Sequence, residues 1–173
     1  MKNVIIETDR LLLCTFSPGD AALLLMLNSD PEVTRYTHDA MTSLDQAEKT
    51  LNEVILPQYA LHNYGRWAVH LKHSLEYIGW CGLKYLPERN EVDLGYRFMK
   101  TSWGKGYATE SAFASLQHGF RTLKLHRIVG RALLQNLASI RVLEKCGMSY
   151  TGEEMVHGYL HKTYQATHPA IQT

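Results

Sequence analysis

The apolar positions divide the chain into three stretches of different period. Arg10 to Phe16 reads as a first strand. Ser17-Pro18-Gly19-Asp20 then reads as a helix start, with Ser17 as N-cap, Pro18 at the first helical position and Asp20 near the positive end of the helix dipole. The apolar run Ala21 to Leu27 follows, and Asn28-Ser29-Asp30-Pro31 ends it, because a residue before proline disfavours the helical region. Ser43-x-x-Gln46 has the spacing of a capping box, and Leu44, Ala47, Leu51, Val54 and Ile55 recur at helical intervals behind it. Pro57 is expected to end or kink that helix.

In the middle third the period drops to two. Trp67, Val69 and Leu71 alternate with Ala68, His70 and Lys72; Tyr77 to Leu86 is rich in aromatic and β-branched residues; Val92, Leu94, Tyr96 and Phe98 alternate again. The links His73-Ser74 and Pro87 to Asn90 are short, which predicts an antiparallel meander. Helical spacing returns with Ala108, Ala112, Phe113, Leu116, Phe120 and Leu123. His126 to Leu133 reads as a strand. Leu137, Ile140, Leu143 and Cys146 mark a last helix with Gly147 as its C-terminal cap, and Met148 to Val156 with Tyr159 to Thr167 form a final hairpin. The strand-helix-strand order over 92 to 133 implies a parallel crossover. The predicted architecture is a mixed α/β sheet with helices on its faces.

Composition adds limits. A chain of 173 residues, 45% hydrophobic and 20% charged, is expected to be one folded domain over 1–173 with its own core. Lys and Arg total 18 against 17 Asp and Glu, so nothing points to a nucleic-acid surface. The longest apolar run, Ala21 to Leu27, is far short of a membrane span, and Met1 to Ile6 lacks the length and flanks of a signal peptide. Cys14, Cys81 and Cys146 are odd in number and widely spaced, and the nine His are scattered, so neither a disulfide framework nor a metal site is expected. A reducing cytoplasm is the expected setting.

The chemistry concentrates in Trp103-Gly104-Lys105-Gly106-Tyr107-Ala108, between a predicted strand and a predicted helix. Two Gly and an Ala let the backbone turn tightly and approach a ligand, and the helix start offers free N–H groups at a positive dipole end. That combination suits a pyrophosphate, with Lys105 adding charge. It is not a P-loop, since Gly106 and not Ser or Thr follows Lys105, and it lacks the third Gly of the dinucleotide fingerprint. A short glycine motif also serves as a plain connector. The second segment is Asn136-Leu-Ala-Ser139-Ile-Arg141-Val-Leu-Glu-Lys145-Cys-Gly147-Met148, about thirty residues on, the length of one crossover unit.

Together these segments resemble the GNAT superfamily of N-acetyltransferases. The family's coenzyme A loop, (Arg/Gln)-x-x-Gly-x-(Gly/Ala), maps to Trp103, Gly106 and Ala108, and its next motif to Asn136, Ser139, Lys145, Gly147 and Met148. Glu7-Thr-Asp-Arg10, Asp20, Asp30-Pro31-Glu-Val33 and Asp93-Leu-Gly95-Tyr96 are similar to the branch holding the Rim-type ribosomal-protein N-terminal acetyltransferases. The resemblance implies a mostly antiparallel sheet of about seven strands and about four helices around the crossover. It also implies an acetyl-coenzyme A-dependent N-acetyltransferase with no metal, acting by direct attack in a ternary complex. Coenzyme contacts fall to the Phe98 and Met99 backbone, to Trp103, Gly104, Lys105, Gly106, Tyr107, Ala108 and Thr109 in the loop and helix start, and to Asn136, Ser139, Arg141 and Lys145.

Amine acetylation needs a deprotonated amine, a donor for the oxyanion and a partner for the thiolate. Many relatives place a thiolate-protonating Tyr where this chain has Leu143, so Ser139 takes that role by resemblance, and Asn136 either caps a helix or also orients coenzyme or water. The base is open between Asp93, Glu91 and His157, and each carboxylate also has a bland reading as a partner of Arg97. Glu110 is explained by the helix dipole. Cys146, at a helix C-terminus, is a poor nucleophile. The acceptor is a primary amine, either a protein N-terminus or a small molecule, with Tyr36, His38, Tyr85, Tyr159 and His161 as lining candidates. The alternative is a non-catalytic acyl-coenzyme A-binding regulatory domain. Monomer and homodimer are both compatible with the sequence.

Overall fold

The computed structural model describes residues 3–168, so the expected domain limits 1–173 extend past it at both ends. Strands β1 (Val4–Glu7), β2 (Leu11–Cys14), β3 (Arg66–Leu71), β4 (Tyr77–Leu86), β5 (Glu91–Phe98), β6 (Arg127–Leu133), β7 (Ser149–Val156) and β8 (Tyr159–Thr167) form one eight-stranded sheet in the order β1-β2-β3-β4-β5-β6-β8-β7. The meander, the crossover and the closing hairpin are all present. The additional strand is β1, a short apolar stretch that pairs with β2 across the turn at Asp9.

Helices α1 (Ala21–Asn28), α2 (Leu44–Thr50), α3 (Leu56–His62), α4 (Tyr107–Arg121) and α5 (Leu137–Lys145) make four helical bodies, because a π-turn at Leu51–Ile55 joins α2 to α3. Pro57 therefore does not end its helix. It sits in the first turn of α3, and the wider turn before it accommodates the missing N–H. The rod runs to Asn63, whose left-handed φ of 62° caps it. Ser43 Oγ accepts from Gln46 N at 3.3 Å as the capping box requires, but Gln46 Oε1 reaches back to Thr42 N at 2.7 Å instead of Ser43.

The two faces of the sheet bury different sets. Leu83, Leu94, Phe98 and Ile128 pack with Ala112 and Leu116 of α4 and Leu143 of α5. Ala68 and Tyr77 pack with Leu24 and Leu27 of α1, Ala47 of α2 and Leu51. Burying these side chains contributes on the order of 1.5–3 kcal/mol each. Period-two alternation in β3 to β6 thus feeds both layers.

Polar residues on the α1 face near β6 form an ion-pair network. Arg131 meets Glu91 at 2.5 Å and also pairs with Glu154, while Arg89 holds Glu154 at 2.7 Å. The network stitches β5 and β6 to the β7 edge. Burial opposes ionisation of Glu154, but hydrogen bonds from Arg131, Arg89 and Thr163 outweigh it and push its carboxyl down to about 2. A depressed folded-state pKa contributes stability above the unfolded value that is lost as pH falls through the folded one. Glu154→Gln is therefore expected to lower Tm at pH 7 by roughly 2–4 °C, about 1 kcal/mol, with the gap closing as pH approaches the low value; thermal melts of both proteins across pH check this.

Candidate active site

Strands β5 and β6 run parallel, yet their ladder consists of Asp93 with Val129 and Leu94 with Gly130. Beyond Leu94, β5 continues to Phe98 and β6 to Leu133 without pairing. On the other side β5 stays in register with β4 as far as Phe98–Gly79. Met99 N donates to Ile78 O at 2.9 Å, which makes Phe98–Gly79 a non-hydrogen-bonded pair. The amides of Phe98 and, two residues back, Tyr96 therefore face the opening. Phe98 keeps its N–H directed there, and its carbonyl accepts from Trp103 Nε1 at 2.9 Å. The Met99 N–H goes to Ile78 O and its carbonyl accepts from Ser102 N, so the Met99 amide does not face the opening.

Both helices that follow the parallel pair start at this open end. Crevices at the carboxyl ends of parallel strands are where α/β sheets hold ligands. Gly106 caps α4 with φ 80°, and Gly104 has φ 73°, both left-handed values that favour glycine. No side chain would stand within 4 Å of a Cβ at Gly104, so the cradle is open to a ligand. Glu110 N donates to Gly106 O, which leaves the amides of Tyr107, Ala108 and Thr109 ahead of the first intrahelical bond. These residues fit a pyrophosphate. Lys105 is exposed beside them.

The loop is held from outside by Thr8, Arg10 and Glu110, none of them expected to brace it. Glu110 accepts from Thr8 Oγ1 at 2.7 Å, from Arg10 N at 3.0 Å and from Arg10 Nε at 2.6 Å. Arg10 Nη1 donates to Lys105 O at 2.8 Å, and its guanidinium lies 4.7 Å from the Tyr107 ring centre. Burial works against the Glu110 carboxylate, yet these donors outweigh it and hold its pKa below the usual range. Glu110 thus serves more than the dipole: with Arg10 it clamps the β1–β2 turn onto the loop. The Arg10-to-Glu110 separation in sequence gave no local signal of this.

Opposite the loop stands α5. Asn136 Oδ1 accepts from Ser139 N at 3.2 Å, so Asn136 is the N-cap, and Ser139 lies in the first turn. Ser139 Oγ is 2.9 Å from Tyr96 Oη across the opening. Arg141 and Lys145 are exposed further along the helix. Cys146 is buried with Sγ 3.7 Å from Thr109 O, and burial pushes its thiol up to about 12, unsuited to nucleophilic work.

The base candidates lie on the α1 face. Asp93 Oδ2 is 2.6 Å from Arg66 Nη2, and Glu91 pairs with Arg131 and Arg127. Neither uses Arg97, which bonds Asn28 and Asp39. His157 is exposed in the β7–β8 turn with φ 49°. Among the acceptor candidates, His38 and Tyr159 stack at 4.4 Å and His161 Nδ1 meets Tyr159 O at 2.9 Å, so the loop after α1 touches the closing hairpin. Tyr36 lies under Arg35. Tyr85 stands apart, on β4 opposite Val92 near the start of β5, beside His62. Among the described residues no group of His, Cys, Asp and Glu could hold a metal, and no helix is long and apolar enough to cross a membrane.

A parallel strand pair opening onto two helix N-termini and a glycine cradle defines a ligand-binding α/β fold of the acyltransferase type. The family model described as acetyltransferase (GNAT) domain matches residues 10–149. The chain is 31% identical to the uncharacterized N-acetyltransferase p20 of Bacillus licheniformis over 157 residues, 88% of this chain and 85% of that one. A GNAT-family acetyltransferase from Bacillus anthracis superposes with TM-score 0.79 at 27% identity over 94% of this chain and 97% of that one. The fold is shared too by RimL, a ribosomal L7/L12 alpha-N-protein acetyltransferase in complex with coenzyme A, with TM-score 0.80 at 18% identity over 97% and 99% of the chains. This chain belongs to the GNAT acetyltransferase family.

The clamp yields a prediction. Arg10→Ala removes a charged hydrogen bond to the loop and is expected to raise the Kd for coenzyme A about tenfold while the fold persists; calorimetric titration with a parallel thermal melt checks it.

Proposed function

We propose that this protein is an acetyl-coenzyme A-dependent N-acetyltransferase acting on a primary amine by direct attack in a ternary complex. The observation that carries the reading is the opening between β5 and β6, which ends on the Gly104–Gly106 loop at one wall and on Ser139 at the other. The pantetheine arm lies along β5 and pairs with Phe98. The pyrophosphate sits on the amides of Tyr107 to Thr109, with Lys105, Arg141 and Lys145 supplying charge around it. The whole of 1–173 serves as one transferase domain.

In this reading the acceptor enters from the α1 face and attacks the thioester carbonyl. A neighbouring β5 N–H that faces the opening, that of Tyr96, stabilises the oxyanion, since a fixed donor in a water-poor site favours the charge that develops there. Asp93, paired with Arg66, is the base and works through a water that takes the amine proton. Ser139 is the partner of the departing thiolate. The His38–Tyr159 stack bounds the acceptor site. Asp93, Glu91, Glu154 and Asp39 each already pair with an arginine. That favours a monoamine over a polyamine, and the Rim-type resemblance favours a protein N-terminal amine.

The test is thiol release from acetyl-coenzyme A against small amines and N-terminal peptides. Turnover with one acceptor class is expected, with Ser139→Ala lowering kcat by roughly ten- to a hundredfold and Asp93→Ala by a similar factor. Coenzyme binding without turnover on any acceptor would favour the regulatory-domain reading instead.

A further inference from the structure

At the position where the family resemblance places a tyrosine beside the coenzyme's sulfur, this chain offers no hydroxyl. Leu143 is buried in the core, and a Cβ on Gly130 would stand 2.6 Å from its Cδ2. A phenol arrives from the opposite wall. Tyr96 lies on β5 two residues past the last β5–β6 pair, and its side chain spans the opening. Its Oη is 2.8 Å from Ser139 O and 2.9 Å from Ser139 Oγ.

The contact decides where the Ser139 proton points. A serine in a helix commonly turns its hydroxyl back onto a carbonyl of the preceding turn. Ser111 of α4 does so, donating to Tyr107 O at 2.8 Å. Ser139 Oγ instead meets a second hydroxyl. Tyr96 has one proton and two acceptors on Ser139 at nearly equal distance. Tyr96 Oη donates to Ser139 O, which can only accept, and its contact with Oγ can run in either direction; when a sulfur in the opening takes the serine proton, the phenol proton is shared between Ser139 O and Oγ as a three-centre bond. Burial, the largest influence on this phenol, raises its pKa, with the Ser139 contact acting the other way, so it remains a donor through neutral pH.

We infer that Tyr96 is a positioning residue for the leaving group, donating to Ser139 Oγ and thereby directing the Ser139 proton at the coenzyme's sulfur. The inference rests on the transferase reading for the coenzyme's place. The C–S bond breaks with its electron pair going to sulfur. An aliphatic hydroxyl is a far weaker acid than a thiol, so Ser139 keeps its proton and stabilises the thiolate by a hydrogen bond. The proton that finally reaches sulfur is one released, through water, from the ammonium formed by the attacking amine.

A test that needs no acceptor is the thiol pKa of bound coenzyme A, followed by thiolate absorbance as pH rises. Wild type, Tyr96→Phe, Ser139→Ala, Ser139→Thr and the Tyr96→Phe/Ser139→Ala double variant are compared. Tyr96→Phe and Ser139→Ala are each expected to raise the bound thiol's pKa by about one unit, the tenfold effect of one hydrogen bond. The double variant should shift no further than Ser139→Ala, and Ser139→Thr should stay near wild type. Affinity for coenzyme A at a pH where the thiol is protonated should change less than about twofold in Tyr96→Phe. A Tyr96→Phe titration matching wild type, additive shifts, or loss of coenzyme binding in that variant alone would overturn the inference. Failure of the wild type itself to bind coenzyme A would overturn the transferase reading beneath it.

Discussion

Everything distinctive about this molecule follows from two parallel strands that separate. Strands β5 and β6 are hydrogen-bonded around Asp93 and Leu94 and then diverge, while β4 and β8 hold their outer edges. An unpaired strand edge inside a sheet is costly unless something satisfies it. Here the amides of Tyr96 and Phe98 turn to the gap, and α4 and α5 both begin at its mouth. The same divergence that leaves backbone groups without a ladder partner supplies donors for an extended ligand arm and puts two positive helix ends beside it.

Keeping that gap open requires support from both sides. The glycine loop is held by the Arg10–Glu110 clamp and by Trp103 on the Phe98 carbonyl. The opposite wall is held by the Asn136 cap and by Tyr96 reaching Ser139. Behind the gap, Arg131 with Glu91 and Glu154 secures β6 to its neighbours. The ionisable groups are thus largely occupied in mutual pairs, and the opening presents backbone amides and hydroxyls.

Much of this was legible in the sequence. Period-two alternation marked β3 to β5, helical spacing marked α4 and α5, and Gly104, Gly106 and Asn136 stand where a ligand cradle and a helix cap need them. Local signals failed where the cause was distant. Pro57 reads as a helix end or a kink; a π-turn at Leu51–Ile55 lets the helix continue past it, and no propensity records that. Val4–Glu7 is too short to show a period. Glu110 looked like a dipole acid because its partners Thr8 and Arg10 lie about a hundred residues away in the chain. Tyr96 read as one more alternating aromatic, and only the fold brings its hydroxyl to Ser139. The β4 register claims the Met99 amide, which alternation alone does not show.

The most direct measurement is residue-resolved amide hydrogen exchange with and without coenzyme A. The account predicts slowed exchange at Phe98 and at Tyr107 to Thr109 on binding, with β1 to β3 unchanged. Protection confined to other strands, or none at these amides in the bound state, would contradict the claim that the opening between β5 and β6 is where the coenzyme lies.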